Sequence, residues 1–192
     1  MTQSDPAMSV LDAIMSRRSV SALGEPAPSE DALATILAAG TTGPDHGGLT
    51  PYRFVVIDAT SRERFGNALA TDTDAARGGI APELADKFRK KAHGAPVQVL
   101  IVFSPVESPK APEWEQLVSA SSTGYPMLLA ASALGLGAAW RSAAVLDGPA
   151  MTELCDLAPN ERVLGWLNIG TPVSELPLER TSPEMAMRVM RP

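Results

Sequence analysis

A chain of 192 residues, 45% of them hydrophobic, is long enough for a compact domain with its own core and too apolar for an intrinsically disordered protein. Its formal net charge of −6 and isoelectric point near 4.9 argue against non-specific nucleic-acid binding. One cysteine, Cys155, and two histidines exclude an intrachain disulfide framework and offer no zinc-ligand spacing.

We expect neither a targeting signal nor a membrane-spanning segment in this chain. Its first residues lack the basic and apolar regions of a secretory signal peptide. The longest apolar stretch, residues 127–140, is interrupted by Ser132 and by glycines, and it is too short to cross a bilayer of ~30 Å. We therefore expect a cytoplasmic protein that contacts neither membrane nor nucleic acid.

Two helices are predicted at the start of the chain. Ser9 and Asp12 resemble a capping box for the first, whose apolar positions share one face. Ser29 is the predicted N-cap of the second, over residues 29–39, and Gly40 is its stop. The loop that follows, residues 41–51, is rich in glycine and proline. Loops of this length in compact domains usually carry function.

The middle of the chain alternates strands and helices. Residues 53–57 and 97–103 are predicted strands, and the second is expected at the centre of a sheet because it is almost continuously apolar. Residues 61–70 and 82–92 are predicted helices. Residues 72–79, acidic and then glycine-containing, are predicted to form a mobile cover between them.

The second half begins with the longest helical pattern, residues 114–134. The pattern is apolar nearly all round, which predicts a buried helix, with a subunit interface as one possible location. Gly124 and Pro126 are predicted to weaken or kink it. A short helix over residues 149–157 and a strand over residues 163–169, ended by residues 170–172, complete the predicted elements. With no internal repeat or linker, we expect a single domain over residues 1–192.

Residues 173–192 form a predicted C-terminal tail beyond a core of residues 8–172. The tail is rich in proline and methionine and has no strong period. We expect it to lie across its own domain or a partner. Three of its methionines are expected to fill gaps in packing rather than to sense oxidation: Met185, Met187 and Met190.

Arg17, Arg18 and Ser19 stand together where the first predicted helix ends. Guanidinium groups bind phosphate oxygens in bidentate fashion, and a hydroxyl adds a further donor. Paired arginines at a helix C-terminus also complement the helix dipole, which is the structural alternative. The motif alone leaves both interpretations open.

Together with four later segments in the same order, this motif makes the chain resemble the FMN-dependent nitroreductase family, most closely its short, minimal bacterial branch. The resemblance covers about residues 10–172. The segments are Arg17-Arg18-Ser19, Pro44-Asp45-His46, Trp114-Glu115-Gln116, residues 135–142 ending in Trp140-Arg141-Ser142, and residues 165–172. It implies an α+β fold with a mainly antiparallel central sheet flanked by helices. It further implies a homodimer with a domain-swapped C-terminal tail and FMN at the interface.

The resemblance also implies roles for particular residues. Arg17, Arg18 and Ser19 would hold the FMN phosphate and ribityl chain. Trp140, Arg141 and Ser142 would approach the same cofactor, whereas Thr42 and His46 would come from the other subunit. A segment associated with NAD(P) binding in relatives corresponds to Ala130, Ala131, Ser132, Ala133, Leu134 and Gly135.

The implied activity is hydride transfer from NADPH or NADH, through the flavin, to nitroaromatic, quinone or related small-molecule acceptors. No catalytic side chain and no metal is required, because the flavin carries the redox step.

Two positions depart from the family pattern. Ser21 stands where many members have a Lys or Arg that can reach the flavin ring, and Thr42 stands where the close branch often has a basic residue. Positive charge near the ring favours the reduced flavin. These departures predict a weaker FMN site or a lower reduction potential unless another cation, with Arg53 as one candidate, compensates.

Several residues also have purely structural interpretations. His46 can cap a loop carbonyl, and Asp45 can stabilise the turn. Trp140 is expected to be partly core and Cys155 an inert buried thiol. Packing roles are predicted for Trp114 and Trp166.

Two rival functions stay open at this point. One is a flavin-binding carrier, sensor or regulatory relative with little turnover, which Ser21 and Thr42 motivate. The other is an acidic interaction module unrelated to flavin.

Overall fold

The computed structural model of the protein describes residues 10–174. Ser9 of the predicted capping box lies outside the described residues. So do residues 175–192, with the predicted domain swap and the three tail methionines.

Helices and strands alternate along most of the chain. The α-helices are α1 Val10–Ser16, α2 Glu30–Gly40, α3 Arg62–Arg77, α4 Pro82–Lys91, α5 Glu113–Ser122, α6 Gly124–Ala133 and α7 Pro149–Cys155, with a short 3-10 helix His46–Gly48 after α2. The strands are β1 Leu23–Gly24, β2 Tyr52–Ile57, β3 Val97–Phe103, β4 Gly137–Arg141 and β5 Arg162–Pro172.

These strands form one antiparallel sheet. β3 lies between β2 and β5, and all of its residues are buried, as predicted for a central strand. On the side of β5 away from β3, β4 pairs with Trp166 to Gly170, and β1 pairs with the last two residues of the strand. The α+β class with a mainly antiparallel sheet flanked by helices is thereby confirmed.

Each face of the sheet has its own core. Side chains alternate between the faces along a strand. Leu100 and Trp166 therefore pack with α3, α4 and α7, whereas Val99 and Leu167 pack with α2 and α6. The cavity described below opens on the first of these faces.

The predicted helix over residues 29–39 is confirmed with its cap. The Ser29 hydroxyl accepts a hydrogen bond from the Ala32 N–H at 3.2 Å, and the apolar side of the helix faces the core. The strand predicted over residues 163–169 was too short. It continues to Pro172, because Gly170 pairs with β4 and Thr171 and Pro172 pair with β1.

The prediction of a mobile cover at residues 72–79 was wrong. Residues 72–77 continue α3, and Asp72 is buried. Its two carboxylate oxygens accept hydrogen bonds from the N–H groups of Ala150 and Met151, at 2.9 and 2.8 Å. The first carboxylate of the stretch therefore caps α7 instead of belonging to a loose connector.

The long helix predicted over residues 114–134 is two helices, which meet at Thr123. Trp114 is 65% exposed on α5, so its predicted packing role was wrong within this chain. Residues 137–141, for which no strand was predicted, form β4 and place Trp140 on the sheet.

Candidate functional site

An open cavity of about 450 Å³ lies where β4 and β5 meet the C-terminal end of α4. Its volume falls in the range of sites for small molecules and cofactors. The lining residues are Ser21, Lys91, Gly94, Trp140, Arg141, Ser142, Trp166 and Asn168. The predicted segment Trp140-Arg141-Ser142 therefore does line a cavity, together with residues that were not predicted.

Strand pairing brings these side chains together. Arg141 of β4 lies opposite Trp166 of β5, and Ala139 lies opposite Asn168. Paired residues share a face of the sheet, and so do residues two apart along a strand. Arg141, Trp166 and Asn168 therefore project from the same face.

The end of α4 forms the opposite wall. Phe88 anchors the helix in the core, and the Lys91 ammonium lies 4.9 Å from the Phe88 ring centre. Lys91 Nζ also donates a hydrogen bond of 3.4 Å to the main-chain oxygen of Ser142. The last turn of α4 is thereby tied to the end of β4.

The cavity has a positive lining. Lys91 and Arg141 are both lining residues, and no carboxylate is among the lining residues of the described chain. Burial, and after it the positive charge of Arg141, lowers the pKa of Lys91 below its usual value. Two cations that repel each other across a cavity without a counter-charge favour an anionic ligand.

Arg17 is not among the residues that line this cavity. Its guanidinium stands 5.8 Å from the ring centre of Tyr125, in the first turn of α6, and the neighbouring Gly124 packs against the Trp140 indole. Its Nε and Nη1 atoms are buried, and they have no hydrogen-bond partner within residues 10–174. Buried donors without acceptors are costly, so this group calls for an acceptor from outside the described chain.

Arg18 has a structural role instead. Its Nη1 donates to the main-chain oxygens of Met15, Ser16 and Arg17 at 2.8, 2.9 and 3.0 Å. The first two are carbonyls of the last turn of α1 and the third follows it directly, so Arg18 caps the helix as the structural alternative predicted. Ser19 is exposed. The role of both residues toward a phosphate stays a prediction.

Thr42 and His46 line no part of the cavity in their own chain. The Thr42 hydroxyl donates to the Ala39 oxygen at 2.8 Å, and His46 Nδ1 lies 2.6 Å from Glu115 Oε2. The His46 side chain is 54% exposed. Their predicted contribution to a cofactor of a second subunit stays a prediction. The turn role of Asp45 is confirmed, because its Oδ2 accepts from the Thr50 N–H at 2.7 Å.

The segment predicted to bind NAD(P) ends α6 and also lines no part of the cavity. Ala131 is fully buried and Ala130 packs against the same core, which leaves Ser132 to Gly135 nearer the surface. Its role stays a prediction for these outer residues.

Arg53, the one candidate named to compensate for Ser21, lines no part of the cavity. Its guanidinium donates to Glu161 Oε2 at 2.6 Å and to the main-chain oxygens of Cys155 and Asp156, both at 2.9 Å. Burial raises the pKa of the Cys155 thiol to about 11, as expected of an inert thiol.

The cation that sequence reasoning missed is Lys91. The available signal was its place at the end of an amphipathic helix just before the central strand.

No helix within the described residues is long and apolar enough to cross a membrane.

The chain is similar to known proteins in sequence and in fold. The model of the Nitroreductase family matches residues 14–171. YdjA of Escherichia coli K12, described by its name as a candidate NAD(P)H nitroreductase, is 38% identical over 165 residues, which cover 86% of this chain and 89% of YdjA. A Haemophilus influenzae protein with the same description is 34% identical and covers 85% of this chain and 89% of its own length.

Solved structures share the fold. A nitroreductase with bound FMN from Bacteroides fragilis superimposes with a TM-score of 0.73 at 20% identity, over 95% of this chain and 98% of its own. A nitroreductase-like protein from Bacillus cereus gives a TM-score of 0.72 at 24% identity, over 95% and 94% of the two chains.

Proposed function

The chain belongs to the nitroreductase family, and from that premise we propose that it is an FMN-dependent oxidoreductase that passes hydride from NADPH or NADH to nitroaromatic, quinone or related small acceptors. The names of the relatives YdjA and the Haemophilus protein support the nicotinamide donor. The bound FMN of the Bacteroides structure supports the cofactor. The observation that carries the proposal is the cavity lined by Lys91 and Arg141 without a carboxylate.

The donor set fits FMN. The cofactor combines a phosphate dianion with a ring that carries several hydrogen-bond acceptors. Arg17 offers two buried donor nitrogens that have no acceptor within residues 10–174, and Lys91, Arg141 and Ser142 offer further donors. A site with donors and no lining carboxylate suits such a ligand.

The residues of this chain bind and orient the cofactor. Arg17 and Ser19 would hold its phosphate end, with Arg141 and Ser142 beside them. When bound, FMN supplies the hydride-accepting and hydride-donating chemistry that no side chain here can supply. Lys91 provides the fixed positive charge that Ser21 does not. Ser21 also lines the cavity and carries no charge.

We further propose a homodimer. Large apolar side chains stay exposed on neighbouring helices, and contiguous exposed patches of this kind mark interaction sites. They are Val10, Leu11 and Met15 on α1, Trp114 and Val118 on α5, and Tyr125 on α6. A second copy of the chain would cover this apolar surface. Thr42 and His46, which serve no cavity in their own chain, would then be available to the second subunit.

We propose a cytoplasmic location. Cys155 is the one cysteine of the sequence and is a free, buried thiol. That composition suits a reducing compartment, where the nicotinamide donors are also found.

Anaerobic reduction tests the function. We expect purified protein, as isolated or after reconstitution with FMN, to show the yellow absorbance of flavin, and we expect NADPH or NADH to bleach it. Bound flavin that neither donor bleaches would favour the flavin carrier without turnover. Colourless protein that cannot be reconstituted would contradict both functions.

A further inference from the structure

The side-chain amide of Asn168 is held in one orientation at the cavity. Asn168 lies two residues after Trp166 on β5, so both side chains share a face. Trp166 Nε1 donates to Asn168 Oδ1 at 2.9 Å. An indole N–H is a donor only, so the atom that faces it must be the amide oxygen. The Nδ2 group therefore points away from Trp166.

The indole that fixes this orientation is itself fixed. Trp166 is 1% exposed, and its ring meets the Phe65 ring of α3 edge-on, at a centroid distance of 5.3 Å. A rotation of the amide would leave the buried indole N–H without an acceptor, which is costly. A chain of contacts from Phe65 through Trp166 thus determines where Asn168 presents its N–H donors.

Those donors face the side of the cavity that Gly94 forms. A Cβ built on Gly94 would lie 2.7 Å from Asn168 Nδ2, so only a glycine leaves room for the amide here. Gly94 and Asn168 both line the cavity. Within residues 10–174, Nδ2 donates to no protein acceptor. Asn168 is 4% exposed, so only a small part of the residue is open to the cavity.

One protein group competes for this donor. Gln98 of β3 lies opposite Asn168, and its Oε1 is buried without a partner among the described residues. The Gln98 Nε2 group is already used, since it donates to the Ala92 oxygen at 2.5 Å. If the Asn168 amide donates to Gln98, its loss should lower the stability of the protein alone. If it donates to a ligand, its loss should lower the affinity for that ligand.

We infer that Asn168 is a cofactor-binding residue whose amide N–H, oriented by Trp166 and given room by Gly94, donates a hydrogen bond to an acceptor atom of the flavin ring. This inference rests on the proposed function. Asn168 adds a neutral, directional donor to the charges of Lys91 and Arg141. A ring acceptor becomes more negative on reduction, so a fixed donor beside it favours the reduced flavin.

The test compares Asn168→Ala and Asn168→Asp with the wild type. FMN dissociation constants are measured by flavin fluorescence on FMN-free protein, and midpoint potentials on the reconstituted protein. We expect N168A to weaken binding roughly 3- to 10-fold and to make the potential more negative. N168D keeps the shape but replaces the donor with an anion, so the loss should be larger. Asn67→Asp makes the same charge change outside the cavity lining and should leave both quantities unchanged.

A double-mutant cycle tests the positioning role of Trp166. Trp166→Phe removes the indole N–H and should weaken FMN binding in the wild-type background. In the N168A background the same change should have little further effect on the dissociation constant. Equal effects in the two backgrounds would show that Trp166 acts by packing alone.

The outcomes separate this inference from the function on which it rests. Wild-type protein that binds no FMN would overturn the proposed function, and the inference with it. Wild-type protein that binds FMN, with N168A and N168D binding it equally well, would overturn the inference alone. If the variants have a lowered melting temperature and unchanged FMN affinity, the Asn168 amide donates to Gln98 and not to the cofactor. If N168A does not fold, the isosteric N168D decides.

Discussion

The Lys91 ammonium donates to the main-chain oxygen of Ser142 at 3.4 Å, across the cavity mouth from α4 to the end of β4. The contact holds the cation of α4 at the residue that follows Arg141, and the charge of Arg141 helps to lower the pKa of Lys91. It explains how a chain with Ser21 in place of a basic residue still has positive charge at this end of the site.

Lys91→Gln should lower FMN affinity roughly 10-fold or more, because a charge-assisted contact is lost. Lys91→Arg should restore much of that loss, since it keeps the charge. Lys90→Gln, one residue earlier on the same helix and outside the cavity lining, is the matched control. Fluorescence titration with FMN measures all three, and equal affinities for K91Q and K90Q would remove Lys91 from the site.

Arg17→Met should have opposite effects on binding and on the empty protein. FMN affinity should fall by about 1.5–3 kcal/mol, the worth of hydrogen bonds to a charged group. The melting temperature of the FMN-free protein should stay constant or rise, because two buried donors without acceptors are removed. A variant at the surface of α3, Arg64→Met, should change neither quantity. A large fall in the melting temperature of FMN-free R17M would instead show that Arg17 has a partner in its own chain.

Acid should weaken the fold through Glu161. Hydrogen bonds from the Arg53 guanidinium lower the pKa of this carboxyl from its usual 4.5 to about 2. A depressed pKa contributes stability above the unfolded value, and that contribution is lost as the pH falls from about 4.5 toward 2. Urea unfolding of Glu161→Gln should show a lower free energy of unfolding at pH 7, by about 2 kcal/mol, and a shallower decline between pH 5 and pH 3. Glu113→Gln, which loses only an exposed pair with Arg162, should resemble the wild type.

A charge on the exposed face of α5 should break the proposed dimer. Val118 is 57% exposed and lies one turn after Trp114, so Val118→Lys would place an ammonium in the apolar surface. We expect sedimentation equilibrium to give a dimer for the wild type and a monomer for V118K. Val106→Lys, at a similarly exposed apolar position on the loop after β3, should remain dimeric. A monomeric wild type at micromolar concentration would contradict the proposal.

The central strand and the second helix could be predicted because their signals are local. β3 is apolar throughout, which is what a strand covered on both faces requires, and Ser29 caps its own helix. β4 lacks such a signal. Its sequence of Gly137, two alanines, Trp140 and Arg141 has no alternation, and its extended form comes from pairing with β5.

Site residues that belong to a sequence motif could be predicted, whereas those that tertiary packing brings to the cavity could not. The segment from Trp140 to Ser142 could be found from sequence. Lys91 ends an amphipathic helix just before the central strand, but a lysine in the last turn of a helix is also typical of dipole stabilisation, so this signal did not identify it as a site residue. The roles of Asn168 and Gly94 depend on the packing of β5 against the residues that follow α4. These residues are far apart in the sequence, so no local pattern predicts their contact.

The cap of α7 has a consequence for how this chain acquires its structure. The N-cap position is Gly148, which has no side chain to accept a hydrogen bond, and the acceptor is Asp72, which lies far earlier in the chain. A helix of seven residues is marginal in isolation. A synthetic peptide of residues 145–160 should therefore be a random coil by circular dichroism. In the intact protein, α7 should form only after α3 has docked, which makes it a late event in folding.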